Sequence, residues 1–184
     1  DPMAARANTW RTVLTAAVLA VVLLAAGHHL VLQRRLDGEA VWFQMSLDAN
    51  KYLAMVQGRQ FADPLFNPRV FVPLVARQLP LPPHEALRAI SYASLAAMYL
   101  LLALLLRRWG FRWPVVATSL VCLGGTLAHM LNYSNPFLTD AFALGMLAGM
   151  FYALATGREA LFAVVGLIGL FGRETCLFGF PAYV

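Results

Sequence analysis

The feature that most constrains this chain is a series of apolar runs of membrane-crossing length. Thr12 to Leu32 holds about twenty consecutive mostly apolar residues, enough to traverse a hydrocarbon core of about 30 Å. A cleaved signal peptide is the competing reading, but the run is long, lacks a small-residue cleavage pattern and is followed by further spans. A second run, about 84–106, opens behind Pro82 and Pro83 and closes on Arg107, Arg108 and Gly110. Two more follow at about 114–131 and 137–156, separated by the polar turn NYSNP and ended by Gly157, Arg158 and Glu159. The expected fold is all-α: a polytopic bundle of transmembrane helices.

Composition agrees. Of 184 residues, 60% are hydrophobic and only 12% charged, with a mean hydropathy of +0.66, well above the average soluble domain. The formal charge of +5 suits anionic lipid or phosphate, and no basic run interleaved with aromatics points to nucleic acid. Cys122 and Cys176 fall in apolar segments without the spacing of a zinc site. Asp1 and Pro2 precede Met3 and look like a cloning remnant, and the apolar stretch ending at Val184 predicts that the protein continues beyond it.

The last run is the informative one. Ala160 to Phe171 spans only about 18 Å as helix before Gly172, Arg173 and Glu174. Residues 160–184 are therefore expected to carry a break near 172–174 that places an ionisable pair at membrane depth. Such a pair marks either a functional site or a mutual staple between helices.

Residues 33–83 form a long loop that is not disordered in composition. Val41 to Val56 has helical amphipathic spacing, and a second short helix is expected from an Asn67 cap and Pro68 through Arg77. Both are expected to lie at the membrane surface. Short-loop arginines, Arg107, Arg108, Arg112 and Arg158, fall on the side of Arg6 and Arg11. Arg34, Arg35, Lys51, Arg59, Arg69, Arg77 and Arg88 crowd the opposite side, but short loops weigh most heavily, which favours a cytoplasmic tail at residues 1–11 and a non-cytoplasmic long loop. On this topology the loop, the 132–140 turn and Arg173–Glu174 share one face.

On that face, DANKYLAM (48–55) sets an aspartate three residues before a lysine and four before a tyrosine. This resembles the first-loop motif of GT-C fold glycosyltransferases, membrane enzymes that use polyprenyl-phosphate-linked sugars and include the aminoarabinose and mannosyl transferases. FNPRVFVPLVARQLP (66–80), NPFLTDAFAL (135–144) and GRETCLFGFP (172–181) are similar to stretches of bacterial members. Ala49 stands where many relatives carry a second acidic residue. The resemblance implies a GT-C-like bundle in a bacterial inner membrane, serving the cell envelope. It implies a polyprenyl-phosphate sugar donor as partner, no fixed cofactor, and an open question over a divalent metal.

An inverting transfer of this kind needs one carboxylate to take the acceptor proton and cations to hold the departing phosphate. Asp48 is the expected base, with Asp37 and Glu39 in reserve. Arg69, Arg173 and Arg35 are the expected phosphate ligands, because guanidinium stays charged and binds bidentately. Lys51, Tyr52, Asn135, Asp140 and Glu174 complete the expected site. Each also has a plain reading: Asp48 as a helix cap, Lys51 and Arg69 as headgroup anchors, Asp140 as a helix-dipole partner, Glu174 as the counter-ion of Arg173. Two other classes stand beside the transferase. One is a non-catalytic membrane subunit or scaffold of similar fold, working with a further membrane subunit. The other is a haem or metal protein using His29 and His129, near the same end of their helices.

Overall fold

The computed structural model describes the backbone of residues 2–36, 47–59, 69–126, 132–133, 135 and 139–183. Side chains are described at 9–30, 49–59, 69–126, 132, 133, 135 and 139–181. Every regular element among them is helical: α1 (Pro2–Leu36), α2 (Leu47–Val56), α3 (Phe71–Gln78), α4 (Pro83–Arg108), α5 (Trp113–Gly124), α6 (Asp140–Ala155), α7 (Glu159–Gly172) and a closing 3-10 segment (Glu174–Tyr183).

Local chemistry sets the boundaries. At the start of α4 the Pro83 ring costs no hydrogen bond, Glu85 occupies the positive first turn, and Arg107 and Arg108 occupy the negative last one. Gly58, with φ of 84°, ends α2 in the left-handed conformation that glycine alone adopts without strain. Arg77 of α3 then donates from Nε to Val56 O at 3.1 Å and ties α3 to the end of α2. α3 begins at Phe71, with Val70 as a cap lacking a side-chain bond, so the helix opens later than the Asn67 and Pro68 signal suggested. Pro73 still falls in its first turn, where no N–H is needed. Asn67 and Pro68 themselves, like 41–46, lie outside the described residues. α5 stops at Gly124, short of the expected Leu131, because the Gly124-Gly125 pair and Thr126 close its last turn.

α4 is the hub. It packs against α1, α5 and α6, and its first turns meet α2 and α3. α4 and α6 run parallel, with Gly145 against Ser94 near one end and Ala155 O accepting from Arg108 Nε at 2.7 Å at the other. The main core joins Ala16 and Ala20 of α1, Leu95, Met98, Tyr99 and Ala103 of α4, Val116 and Leu120 of α5, and Ala141 and Ala148 of α6. Alanines and glycines dominate these seams and let backbones approach closely, as helices in lipid do. Beyond Gly172 the chain reverses. Cys176 packs on Gly169, Phe180 on Gly166, and Gly179 on Met150, so the 3-10 segment runs back down the seam between α6 and α7.

Two helical stretches are long and apolar enough to cross a membrane, Thr9–Leu30 and Pro83–Arg108. Outward faces are apolar too: Leu14, Val18, Val21 and Val22 of α1, and Val164, Leu167 and Phe171 of α7, are each at least half exposed.

The seam makes a direct prediction. A Cβ on Gly145 would sit 3.0 Å from the Ser94 carbonyl, whereas one on Gly125 would meet backbone at an ordinary 3.5 Å. Gly145→Val should destabilise the protein by about 1 to 3 kcal/mol through overpacking. Gly125→Ala should stay within about 0.5 kcal/mol of the parent. Thermal unfolding in detergent compares the two.

Candidate functional site

One end of the bundle collects polar side chains from four separate stretches. Tyr52 sits in the middle of α2, fully buried against Val56, Val72, Ala76, Ala86, Leu87 and Phe142. A buried phenol needs partners for its hydroxyl. Thr139 Oγ1 donates to it at 3.1 Å, and Arg69 Nη1 lies within hydrogen-bond range at 3.4 Å. Thr139, itself fully buried, occupies the cap position of α6. Tyr52 thereby fixes α2 to the start of α6.

Arg69 lies two residues before α3 and turns its guanidinium onto Glu174. Nε donates to Oε2 at 2.8 Å, and Nη2 pairs with Oε1, the bidentate geometry that suits guanidinium and carboxylate. Arg173, extended at the end of α7, reaches instead to Asp140 on the first turn of α6, with Nη1 and Oδ1 2.5 Å apart. Arg173 Nε is a buried donor with no hydrogen-bond partner.

The adjacent Arg173 and Glu174 therefore make their ion pairs with other residues, and the reading of Glu174 as the direct ion-pair partner of Arg173 is corrected. Extended backbone at Arg173 sends successive side chains in different directions, so each finds its partner on another element. Two guanidiniums and two carboxylates result, formally neutral together. Both arginines are largely shielded, whereas the carboxylates are more open to solvent.

Burial opposes ionisation of Glu174, but the hydrogen bonds from Arg69 and the charges of Arg69 and Arg173 outweigh it. They hold the carboxyl below its ordinary value of 4.5. For Arg69, burial works against the charge, and the hydrogen bonds to Glu174 and Tyr52 overcome it and raise its pKa.

Tyr52, Arg69, Asp140, Arg173 and Glu174 are thus brought together from the expected set. Lys51 neighbours Tyr52 in α2, and Asn135 precedes α6 across the turn. Asp48 occupies the first turn of α2, one turn before Tyr52, with its side chain outside the described residues. The side chain of Arg35, in the last turn of α1, lies outside them too, as do Asp37 and Glu39 entirely. Thr139 escaped the sequence reading. Its only signal was its place directly before Asp140 at a helix start.

For a divalent metal the described donors are a poor set. Asp140 and Glu174 are each taken up by an arginine, and no group of three His, Cys, Asp or Glu side chains suited to a metal occurs among the described residues. Of the histidines weighed for haem, His29 is exposed and His129 lies outside the described residues. His28 Nδ1 is 2.9 Å from the Tyr92 hydroxyl.

The ion pairs imply a particular pH dependence. Because the folded pKa of Glu174 is lowered, its contribution is fully present above about 4.5 and is lost as pH falls through the folded value. Solvent screening limits that contribution to about 0.2 to 1 kcal/mol. The stability difference between the parent and Glu174→Gln, followed by thermal unfolding, should shrink below pH 4.5 and stay constant from there to neutrality. Comparison with family models, with curated proteins and with solved structures finds no match to this chain.

Proposed function

We propose that this chain is a polytopic membrane protein of GT-C type. In this reading it transfers a sugar from a polyprenyl-phosphate-linked donor to a lipid or glycan hydroxyl on the non-cytoplasmic face. The observation that carries the reading is the gathering of Arg69, Asp140 and Arg173 beside α2, the helix that bears both Asp48 and Tyr52. The apolar outward faces of α1 and α7 support a lipid environment, since a soluble bundle would expose contiguous apolar surface to water. The α4–α5 and α6–α7 turns are short and carry Arg107, Arg108, Arg112 and Arg158 against Glu159, which supports placing that end in the cytoplasm and the quartet opposite.

The chemistry follows from the residues. Asp48 accepts the proton of the acceptor hydroxyl as its oxygen attacks the anomeric carbon. The bond from that carbon to the phosphate oxygen breaks, and polyprenyl phosphate leaves with the electron pair. Arg69 and Arg173 stabilise the charge that builds on the leaving phosphate. Glu174 fills the Arg69 fork, so an arriving phosphate displaces it. Tyr52, anchored by Thr139, keeps Arg69 in place during the exchange.

The formal neutrality of the quartet favours a second reading, a structural clamp in a non-catalytic subunit. One experiment separates them. The full chain is reconstituted in proteoliposomes with polyprenyl-phosphate-linked sugars, and both binding of polyprenyl phosphate and its release from donor are measured. Asp48→Asn should fold and bind but lose about 10² to 10⁴ in release rate. Arg173→Ala should lose binding, Arg173→Lys should keep part of it, and Glu174→Gln, which frees the Arg69 fork, should bind phosphate more tightly. Asp48→Asn activity within a few-fold of the parent would remove Asp48 and send the test to Asp37→Asn and Glu39→Gln. Failure of Glu174→Gln to gain phosphate affinity, together with lost stability, supports the clamp.

A further inference from the structure

The two ends of the bundle treat their arginines oppositely. At the quartet, Arg69 and Arg173 each have a carboxylate. At the other end, the turn 107–113 carries Arg107, Arg108 and Arg112, and the turn 155–159 carries Arg158, with Glu159 as the sole carboxylate in either. Among the described residues, none of these four arginines is within ion-pair distance of an acid, Glu159 included.

Their geometry is nonetheless built. Arg108 Nε is fixed on Ala155 O at 2.7 Å, which binds the first turn to the last turn of α6, three residues before Arg158. Arg108 as a whole is exposed. Arg107 Nη1 donates to Phe111 O at 2.6 Å, the guanidinium lies 5.2 Å from the Trp113 ring centre, and its Nε is a buried donor with no acceptor. Gly110, with φ of 88°, turns the chain so that Trp109 and Phe111 both stand exposed beside these charges. Like charges gathered by backbone contacts repel unless an anion lies among them. Exposed Trp and Phe flanking arginine is the composition of a headgroup-level surface.

We propose that this end is a seat for anionic phospholipid. Arg108, Arg112 and Arg158 hold the headgroup phosphate, and Trp109 and Phe111 sit among the glycerol and upper acyl groups. The seat rests on the membrane reading but not on the transferase chemistry. Charge complementarity commits it to lipid: four arginines against one acid, rimmed by apolar rings that a soluble phosphate would not use.

The test uses the purified full chain in vesicles of phosphatidylcholine alone and with one quarter phosphatidylglycerol. Retained lipid is identified by native mass spectrometry after detergent extraction. The parent should insert into both vesicles and retain phosphatidylglycerol in clear preference to phosphatidylcholine. Arg112→Gln with Arg158→Gln, two exposed side chains that hold no part of the fold, should reduce that preference about tenfold or more. Arg59→Gln, exposed on the loop side, should leave most of it. Insertion into both vesicles with no preference, or equal losses from Arg59→Gln and the double variant, would overturn the seat alone. Failure to insert into phosphatidylcholine vesicles would overturn the membrane reading, and the seat with it.

Discussion

Desolvated guanidinium is the constraint on which the rest of this structure depends. Arg69 and Arg173 lie mostly shielded at one end of an apolar bundle, where an unpaired cation would cost several kcal/mol. Each is met by a carboxylate from another element. Glu174 reaches Arg69 across 105 residues of sequence, and Asp140 meets Arg173 from the next helix. These pairs contribute little net energy, yet they tie the chain before α3 and the start of α6 to the end of α7. α2 and α3 bury Tyr52, Val72 and Ala76 against the start of α4, and Arg69, just before α3, meets the end of α7.

The small-residue seams serve that arrangement. Gly145 lets α6 lie close along α4, which brings Asp140 and Thr139 level with the loop helices. Gly166 and Gly169 make room for Phe180 and Cys176, so the chain past Arg173 folds back into the bundle instead of projecting from it. Arg173 and Glu174 therefore stand at a turn, where extended backbone lets one side chain face α6 and the other α3. A continuous helix would have held both on its surface, about 100° apart, with no such choice of partner.

Much of this was legible in the sequence wherever a local rule governed. Apolar runs and their Pro, Gly and Arg punctuation located α1, α4, α6 and α7, and the short run before Gly172 marked the stop at Arg173. Tyr52, Arg69, Asp140, Arg173 and Glu174 could be named from residue type and side of the bundle. What stayed hidden was pairing. Nothing local distinguishes Arg69–Glu174 with Arg173–Asp140 from the adjacent Arg173–Glu174 pair, because the choice depends on how α3, α6 and α7 pack. Thr139 stayed hidden for the same reason: its role appears only when Tyr52 arrives from α2. The start of α3 and the end of α5 were misplaced where a plausible cap competed with packing and where paired glycines closed a helix early.

Together the two ends describe a molecule with an internally neutralised site at one pole and an arginine-rich, aromatic-rimmed surface at the other. That polarity is the central claim, and side-specific labelling tests it most directly. With Cys122 and Cys176 replaced by serine, single cysteines at Gln57, exposed at the end of α2, and at Arg112, exposed in the α4–α5 turn, are treated in intact cells with an impermeant maleimide. The account predicts that Gln57→Cys labels from outside and Arg112→Cys only after permeabilisation. Labelling of both positions from the same side would contradict it.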